Sequence, residues 1–405
     1  MQHDGASGTV LGNGEPAAAA YRFPQQYYDL HPDRGLNFQL NRMYGWVGED
    51  RMLAEIREAA PAIRNYADWT ETFTRLADAA LAARRTPAAA YYVRLAEFFM
   101  FPGDPRKRSA RDRFVSLVRE AHGMTESDRI LVPFAGAALP AYRFAAPRAK
   151  GTLVVFGGYD SYIEEWFPML LALRDAGYDV IAFEGPGQGG ALEEFGLHLT
   201  PHWNEPVGAV LDHFAERDVT LIGLSLGGCL VIRAAAFEPR VRRAIAFDAM
   251  TDFGECVLHT AASGARAAAL GILGYAPRVL DAVVGRVARH DLMVEWGVRQ
   301  GMHVMGAASP HAYFDALSAY TTRRVSDRVT QDVLLLCGAE DHYVPLRQLG
   351  DQMRMLTNAA SVSSRTFTRA DQAQNHCQIG NLGLALRVIA GWLDTLPARA
   401  GGTGG

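Results

Sequence analysis

A serine between two glycines, in the sequence G-L-S-L-G at residues 223–227, is the strongest sign of covalent chemistry in this chain. An apolar, strand-like run at 219–222 precedes it, and a helix-like run at 228–237 follows it. In such a strand–turn–helix context, a G-x-S-x-G turn exposes a nucleophilic serine in a strained backbone conformation. We therefore predict that Ser225 is a nucleophile. The alternative is a glycine-rich turn whose serine caps the next helix.

A serine nucleophile needs a base, and the base needs an acid that orients it. In one known chain order, the acid and then the histidine follow the serine. Asp341 follows a short apolar run at 333–337, which is typical of a buried parallel strand. It is therefore expected at the carboxyl end of a strand, where open sheets place their sites. A turn aspartate without catalytic function is the alternative. Glu340 and Asp248 are the rival acids, and Asp248 ends the strand-like run 244–247.

The predicted base is His376, in a polar loop at 371–378 that comes just before the last amphipathic helix, near 382–396. Most of the other histidines lie in the N-terminal arm or in helix-like stretches, where surface or core positions are expected. His342 is adjacent to the predicted acid, so it is expected to line the site and not to act as the base. Cys377, beside the predicted base, is expected to line the site as well.

The fourth expected element is an oxyanion hole, which needs two backbone N–H groups that point at the developing charge. The N–H of Leu226, after the nucleophile, supplies the first. The second should follow the clear buried strand at 152–156, in the loop G-G-Y-D-S at 157–161. We predict the N–H of Tyr159 or that of Gly158, although a glycine pair after a strand is also ordinary turn chemistry.

The composition is that of an ordinary globular protein, with 405 residues, 49% hydrophobic, 21% charged and a formal net charge of −4. This length allows one sizeable domain and a second unit. No apolar stretch reaches the ~20 residues of a membrane helix, and no signal peptide is evident. We therefore expect a cytoplasmic protein without a membrane partner. The charge gives no reason to expect nucleic acid, and the predicted partner is a small-molecule substrate.

The cysteines are scattered at residues 229, 256, 337 and 377, and none forms a C-x-x-C pair. In a chain of this length they are expected to be reduced thiols. The sequence contains no zinc-ligand constellation, no P-loop and no G-x-G-x-x-G fingerprint. We therefore predict neither a metal nor a cofactor.

Aromatic residues are concentrated at 21–46, which includes F-P-Q-Q-Y-Y at 23–28. An exposed segment of this kind would be a liability, so it is expected to pack on its own chain or on a partner in a homodimer. Helix-periodic segments follow, such as 68–85 and 87–99. They predict an all-helical unit of three to five helices.

The pattern then changes to strands. Pieces at 129–134 and 139–145 indicate a hairpin at a sheet edge, and short apolar runs then alternate with helices, which favours a mostly parallel sheet with helices on both faces. The predicted parallel strands are 152–156, 179–183, 219–223, 243–247 and 333–337. The last interval is too long for one crossover and contains helix-like stretches such as 261–273 and 310–320. The predicted units are an arm (1–48), a helical domain (49–127), the first part of the core (128–250), a helical insertion (251–328), the second part of the core (329–397) and a flexible tail (398–405).

Four motifs together resemble one group of α/β-hydrolases: F-E-G-P-G-Q-G at 183–189, the glycine pair 157–158, the turn at 223–228, and N-H-C-Q at 375–378. This group includes the 2,6-dihydroxypseudooxynicotine hydrolase and the fungal polyketide-shortening hydrolases, and it is related to the fermentation–respiration switch esterase. The resemblance covers roughly 130–395 well and the helical part more loosely.

The resemblance implies an α/β-hydrolase fold with an all-helical N-terminal unit and a helical lid formed by the insertion. It also implies Ser225 as nucleophile, Asp341 as acid, His376 as base and an oxyanion loop at Gly158 and Tyr159. Lids select substrates in such proteins.

Some members of this group cleave a carbon–carbon bond next to a ketone on an aromatic ring, and one uses an extra glutamate some thirty residues after its nucleophile. Glu255 lies at about that spacing, but the local sequence departs from the group's pattern. The alternative for Glu255 is a solvated carboxylate at a helix start, which the helix dipole favours.

Three classes of function follow. The first is a hydrolase that acts on an ester or a β-diketone-type carbon–carbon bond in a secondary metabolite or aromatic catabolite. The second is a lyase, acyl transferase or cyclase of the same fold, in which His376 acts directly on a substrate carbon. The third is a binding protein without catalysis, and the intact triad argues against it.

Overall fold

The computed structural model describes residues 22–260 and 277–396. Its strands are Ile130–Phe134 (β1), Ala137–Phe144 (β2), Thr152–Phe156 (β3), Asp179–Phe183 (β4), Val219–Leu224 (β5), Val241–Phe247 (β6), Asp332–Gly338 (β7) and Ser361–Phe367 (β8). Within the described ranges they form one sheet in the order β1-β2-β4-β3-β5-β6-β7-β8. The antiparallel hairpin of β1 and β2 adds to one edge, and β3 to β8 run parallel.

Successive residues of the central strands point to opposite faces of the sheet, as the strand period of two requires. Leu153 and Val155 of β3 belong to one hydrophobic cluster, whereas Val154 and Phe156 belong to another. Because helices cover both faces, β4, β5 and β7 are buried along their whole length. Burial of each Val, Leu, Ile or Phe side chain in these strands contributes about 1.5–3 kcal/mol. The continuous apolar runs therefore hold the parallel strands at the centre of the molecule.

Two sets of helices cover the two faces. The helices are Arg34–Val47 (α1), Asp50–Ala59 (α2), Tyr66–Ala82 (α3), Thr86–Phe98 (α4), Lys107–Ala121 (α5), Phe167–Asp175 (α6), Gly189–Glu193 (α7), Asn204–His213 (α8), Gly227–Ala235 (α9), Phe253–Thr260 (α10), Pro277–Ala288 (α11), Leu292–Met305 (α12), Pro310–Leu317 (α13), Arg347–Met355 (α14) and Leu382–Thr395 (α15). The N-terminal helices, α6 and α15 pack on one face, and α8, α9 and α13 pack on the other.

Helix α1 lies inside the stretch that the sequence predicts as an arm. Asp33 caps its first turn by accepting a hydrogen bond from the N–H of Leu36, and Gly48 ends it at a φ of 65°. The preceding segment packs on the same chain, since the ring of Phe23 meets that of Trp46 edge-on at 6.5 Å. The aromatic residues of this region therefore find partners within the chain itself.

The insertion between β6 and β7 contributes α10 to α13 and packs against the N-terminal helices. Trp296 of α12 stacks on Phe98 of α4, with ring centroids 5.1 Å apart. The guanidinium of Arg299 lies 3.6 Å from the ring centroid of Phe101. These aromatic contacts join the insertion to the helical unit.

The predicted strands all occur, with ends that differ by at most two residues, and the predicted hairpin is confirmed. Strand β8 was not predicted. Its sequence S-V-S-S-R-T-F lacks an apolar run because an edge strand has only one sheet neighbour and is partly exposed. The predicted helix at 261–273, the first residues of the arm and the tail at 398–405 lie outside the described residues. Among the described helices, none has the length and apolar character needed to cross a membrane.

Candidate active site

The turn that carries Ser225 joins β5 to α9. Ser225 has a φ of 59°, in the left-handed region that few non-glycine residues adopt, and its N–H donates to the carbonyl of Phe247 at 2.6 Å. A Cβ at position 223 would overlap the carbonyl of Gly227, and one at position 228 would overlap the carbonyl of Asp248. Glycine at both positions lets strand and helix cross this closely. The turn therefore presents the Ser225 hydroxyl at the carboxyl end of the sheet.

His376 lies in the loop between β8 and α15 and is buried, with 5% of its surface exposed. Its Nε2 is 2.8 Å from Ser225 Oγ, and its Nδ1 is 2.6 Å from Asp341 Oδ2. Since an ionised carboxylate only accepts hydrogen bonds, Nδ1 carries the proton and donates it to Asp341. When the imidazole is neutral, Nε2 is then free to accept from the Ser225 hydroxyl. The structure thus brings together the three residues predicted as a triad.

The loop after β7 holds Asp341 in place. Its Oδ1 accepts from the N–H groups of Tyr343 at 2.7 Å and Val344 at 2.9 Å, which leaves Oδ2 for His376. Burial raises the pKa of Asp341, and the nearby charge of Asp248 raises it further against the opposing effect of His376. Glu340, the first rival acid, is instead exposed and pairs with Arg369 at 2.5 Å.

Asp248 also reaches the histidine. It is fully buried at the end of β6, and its Oδ2 lies 2.9 Å from His376 Nδ1. The N–H of Cys377 donates to Oδ2 and Gln378 Nε2 donates to Oδ1, both at 2.7 Å. Burial alone would raise the pKa of Asp248, but His376 and these donors lower it below the usual value. The sequence identified Asp248 as a rival of Asp341, whereas the structure places both carboxylates within hydrogen-bond distance of His376 Nδ1.

The pKa of His376 reflects this setting. Burial alone would lower it, but Asp341, Cys377 and Asp248 outweigh burial and raise it well above the usual value. Asp248, His376 and Cys377 also place potential ligand atoms within 4.8 Å of one another. These atoms already bond to each other and to backbone groups, so we assign them to the hydrogen-bonded cluster and name no metal for it.

The predicted oxyanion loop follows β3 and lies beside the nucleophile turn. Gln188 Nε2 donates to the carbonyl oxygens of Gly157 at 2.6 Å and Gly158 at 3.1 Å, which fixes the orientation of their peptide groups. A Cβ at Gly158 would come within 2.7 Å of the Leu226 nitrogen. Over residues 22–260 and 277–396, neither the N–H of Leu226 nor that of Tyr159 has a protein acceptor. Both are therefore available as donors.

The four predicted accessory residues have different positions. Glu255 of α10 bonds to Arg347 Nη1 at 2.6 Å and to Gln348 Nε2 at 3.0 Å, and its neighbours Phe253, Cys256 and Val257 line the cavity in its place. Glu255 therefore lies on a helix that borders the cavity, but its side chain turns to α14.

His342 is half-buried, with its ring centroid 5.0 Å from that of Phe38, and burial followed by the charge of His376 lowers its pKa well below the usual value. It does not belong to the residues that line the described cavity. Cys377 does line it, and burial raises the pKa of its thiol to about 11, so the thiol stays protonated at neutral pH. Asp248 is the accessory residue whose carboxylate lies within hydrogen-bond distance of His376 Nδ1.

A cavity adjoins Ser225 and His376. The core supplies only part of its wall. Helix α1 contributes Phe38, Arg42 and Trp46, and the insertion contributes residues such as Met293 and Trp296. The residues from α1 were missed by sequence reasoning. The one available signal was the aromatic content of the N-terminal stretch. It predicted that this stretch is packed against a protein surface, but it did not identify that surface.

Two buried arginines tie the N-terminal helices to the oxyanion loop. Arg42 of α1 donates to Asp160 Oδ1 at 3.2 Å and to Ser161 Oγ at 3.0 Å. Arg94 of α4 donates to the carbonyl of Asp160 at 2.5 Å. Both arginines also bond to Glu165, at 2.5 and 3.0 Å. Bonds from outside the sheet therefore hold the residue that follows Tyr159.

Comparisons with known proteins agree with this architecture. Hydrolase acrC of Aspergillus aculeatus is 29% identical over 330 residues, which cover 70% of this chain and 76% of the relative. Hydrolyase poxO of Penicillium oxalicum is 27% identical over 303 residues, which cover 66% of this chain and 69% of the relative. The crystal structure of the 2,6-dihydroxy-pseudo-oxynicotine hydrolase has a TM-score of 0.60 at 19% identity and covers 87% of this chain and 94% of that one, which shows a shared fold.

The model of the "Alpha/beta hydrolase family" matches residues 153–372, which is more than half of the 405-residue chain. The matched range begins in β3 and ends after β8, so it contains the parallel part of the sheet. The chain therefore belongs to the alpha/beta hydrolase family and is an enzyme of the hydrolase type.

Proposed function

We propose that the protein is a serine hydrolase that cleaves an ester, or the carbon–carbon bond of a ketone, in a medium-sized to large and partly apolar molecule. The observation that carries this proposal is the unbroken hydrogen-bonded chain from Ser225 Oγ through His376 to Asp341. Such a chain activates a serine because the imidazole accepts the hydroxyl proton and the carboxylate stabilises the resulting imidazolium.

In the proposed reaction, Ser225 Oγ bonds to the substrate carbonyl carbon as His376 Nε2 takes the hydroxyl proton. Collapse of the tetrahedral intermediate breaks the bond to the leaving group, which receives that proton and departs as an alcohol or, for carbon–carbon cleavage, as a protonated carbon fragment. A water molecule then loses a proton to His376 and attacks the acyl-enzyme. The proton returns to Ser225 as the carboxylic acid leaves.

The N–H groups of Leu226 and Tyr159 are the proposed oxyanion donors. Their lack of protein acceptors in the described part of the chain and the closeness of Gly158 to the Leu226 nitrogen support this assignment. Each such donor lowers the barrier by about 3 kcal/mol, because it stabilises charge that is present only in the transition state and the intermediate.

The cavity supports an uncharged, partly apolar substrate. Trp46, Trp166 and Trp296 are among the side chains that line it. Its charged lining residues Arg42 and Asp160 are bonded to each other at 3.2 Å. Since this pair neutralises itself, it offers no free charge to a carboxylate or an amine. The aromatic walls favour a molecule with rings or an extended apolar part.

A lyase of the same fold is the second candidate. One support is the raised pKa of His376, since a stronger base takes a proton more readily from an activated carbon. The other is the name hydrolyase of the poxO relative. In that reaction His376 takes a carbon-bound proton and the leaving group departs with the electron pair, so no acyl-enzyme forms.

The deciding experiment is intact-protein mass spectrometry after incubation with a fluorophosphonate. Attack by Ser225 Oγ forms an O–P bond, breaks the P–F bond and releases fluoride, while His376 takes the proton. We expect one adduct per chain in the wild type and none in Ser225→Ala or His376→Ala. A folded wild type without an adduct would contradict a nucleophilic Ser225 and leave elimination or ligand binding. An acyl adduct trapped from an ester substrate would separate hydrolysis or transfer from elimination.

A further inference from the structure

Two carboxylates contact one nitrogen of His376. Asp341 follows β7 and Asp248 follows β6, and these are neighbouring parallel strands. Their Oδ2 atoms lie 2.6 and 2.9 Å from His376 Nδ1. Both side chains are buried, so water does not compete for the histidine. The orienting role therefore has two candidates within hydrogen-bond distance.

Asp248 also holds the turn that carries the histidine. Cys377 and Gln378 both have positive φ values, 49° and 50°, which non-glycine residues rarely adopt. The carboxylate of Asp248 accepts from the N–H of Cys377 and from the side chain of Gln378. Since two successive strained residues need support from their surroundings, these bonds help to keep His376 in place.

We propose that Asp248 is a positioning residue of the reaction and a second acid for His376. Asp248 supports the histidine together with Asp341, and it continues to do so when Asp341 is removed. This inference rests on the proposed function, in which His376 is the base. In a triad with one acid, replacing that acid lowers kcat by about 10⁴. Here the remaining carboxylate still accepts the Nδ1 proton, so the loss on removing Asp341 is smaller.

A second consequence concerns pH. The groups around His376 are Asp341, His342 and Tyr343 after β7, Asp248 after β6, Cys256 on α10, and the neighbouring Cys377. Both carboxylates raise the pKa of His376, and a base must be neutral, so activity falls as pH drops below that pKa. Removal of one negative charge lowers the pKa and moves the acid limb to lower pH, by about one unit or more.

The variant Asp248→Asn removes the charge and retains the shape. Its side-chain oxygen takes the place of Oδ2, facing Cys377 and His376, and its amide nitrogen faces Gln378. Gln378 Oε1 has no partner in the described structure, so its amide can rotate to accept from this nitrogen. Asp179→Asn is the matched control, because Asp179 is a buried, Arg143-paired aspartate at the amino end of β4.

The experiment measures the rate of fluorophosphonate labelling of the full chain from pH 5 to 10 for wild type, Asp248→Asn, Asp341→Ala, the double variant and Asp179→Asn. Circular dichroism checks that each is folded. We expect the acid limb of Asp248→Asn to move to lower pH and that of Asp179→Asn to stay. Asp341→Ala should lose no more than about 100-fold, whereas the double variant should approach the ~10⁴-fold loss of a triad without its acid.

An Asp341→Ala rate as low as that of the double variant would overturn the second-acid role. An unchanged acid limb in folded Asp248→Asn would overturn it independently, even if Asp341→Ala did not fold. Labelling of the wild type and its loss in Ser225→Ala test the proposed function separately. Failure there is therefore distinguishable from failure of the role of Asp248.

Discussion

The carboxyl edge of the sheet and the helical cover above it build the same site in different ways. Ser225 and Asp248 come directly after a parallel strand, Asp341 is the third residue after β7, and His376 lies in the loop after β8. Each is positioned by its own strand and loop. The cover draws on α1, α4 and the insertion, which are distant in the chain and meet through packing contacts such as the stack of Trp296 on Phe98.

Under the proposed function, this difference separates chemistry from selectivity. The sheet edge holds the groups proposed to move protons and form bonds, whereas α1 and the insertion contribute a large part of the cavity wall. The two regions are not independent, because Arg42 and Arg94 of the cover hold the loop that follows Tyr159. Changes in the sheet edge should therefore alter the rate of the chemical step, and changes in the cover should alter the choice of substrate unless they reach those arginines.

The largest expected effect is at the sheet edge. His376→Ala removes the base, and we expect turnover of an activated ester to fall by at least about 10⁴-fold, since the members of such a triad act as a unit. Thermal unfolding should show a folded variant. Steady-state kinetics at a protein concentration determined by absorbance measures this loss. Turnover within tenfold of the wild type would mean that another group takes the proton.

Arg42→Met tests the link between the two regions. It leaves Glu165 and Asp160 with one buried partner fewer, so we expect the free energy of unfolding to drop by about 3–5 kcal/mol. We also expect kcat to fall by about tenfold, because the oxyanion loop loses two of its hydrogen bonds. Urea unfolding and single-turnover kinetics measure the two effects.

The control for this variant is Arg51→Met, which removes an exposed pair with Glu55 and should change stability by less than about 1 kcal/mol. Equal destabilisation by both substitutions would contradict the idea that the buried network around Arg42 links the sheet edge to the cover.

Trp296→Leu tests the selectivity of the cover. It opens the cavity wall and removes the stack on Phe98. We expect kcat/KM for a bulky aryl ester to fall about tenfold relative to that for a small acetate ester, because only the larger substrate reaches this wall. Phe98→Leu removes the same stack without changing the wall of this cavity. It should leave the ratio within about twofold, and an equal change in both variants would assign the effect to packing.

The smallest effect is expected at Glu340, the residue next to the acid. Its carboxylate is exposed and pairs with Arg369, and that pair lowers its pKa. Glu340→Gln should change kcat/KM by less than about twofold, since exposed pairs contribute little. A loss as large as that of an Asp341 variant would show that Glu340, and not Asp341, is the functional carboxylate of this loop.

Much of the site could be predicted because its signals are local. Ser225 lies in a strand–turn–helix motif, Asp341 follows an apolar run, and His376 precedes the last amphipathic helix. The structure places their side chains in one hydrogen-bonded chain. Glu255 illustrates the limit of spacing, because its distance along the chain says nothing about Arg347, which draws its side chain to α14.

The sequence by itself determined the mostly parallel sheet, the positions of its apolar strands along the chain, and the residues at their carboxyl ends. These follow from hydrophobic period and turn chemistry within a few neighbouring residues. The tertiary structure alone decided that Asp248 shares His376 with Asp341 and that Phe38, Arg42 and Trp46 enter the cavity wall. Such contacts join residues more than a hundred positions apart, and no local pattern encodes which distant surfaces will bury one another.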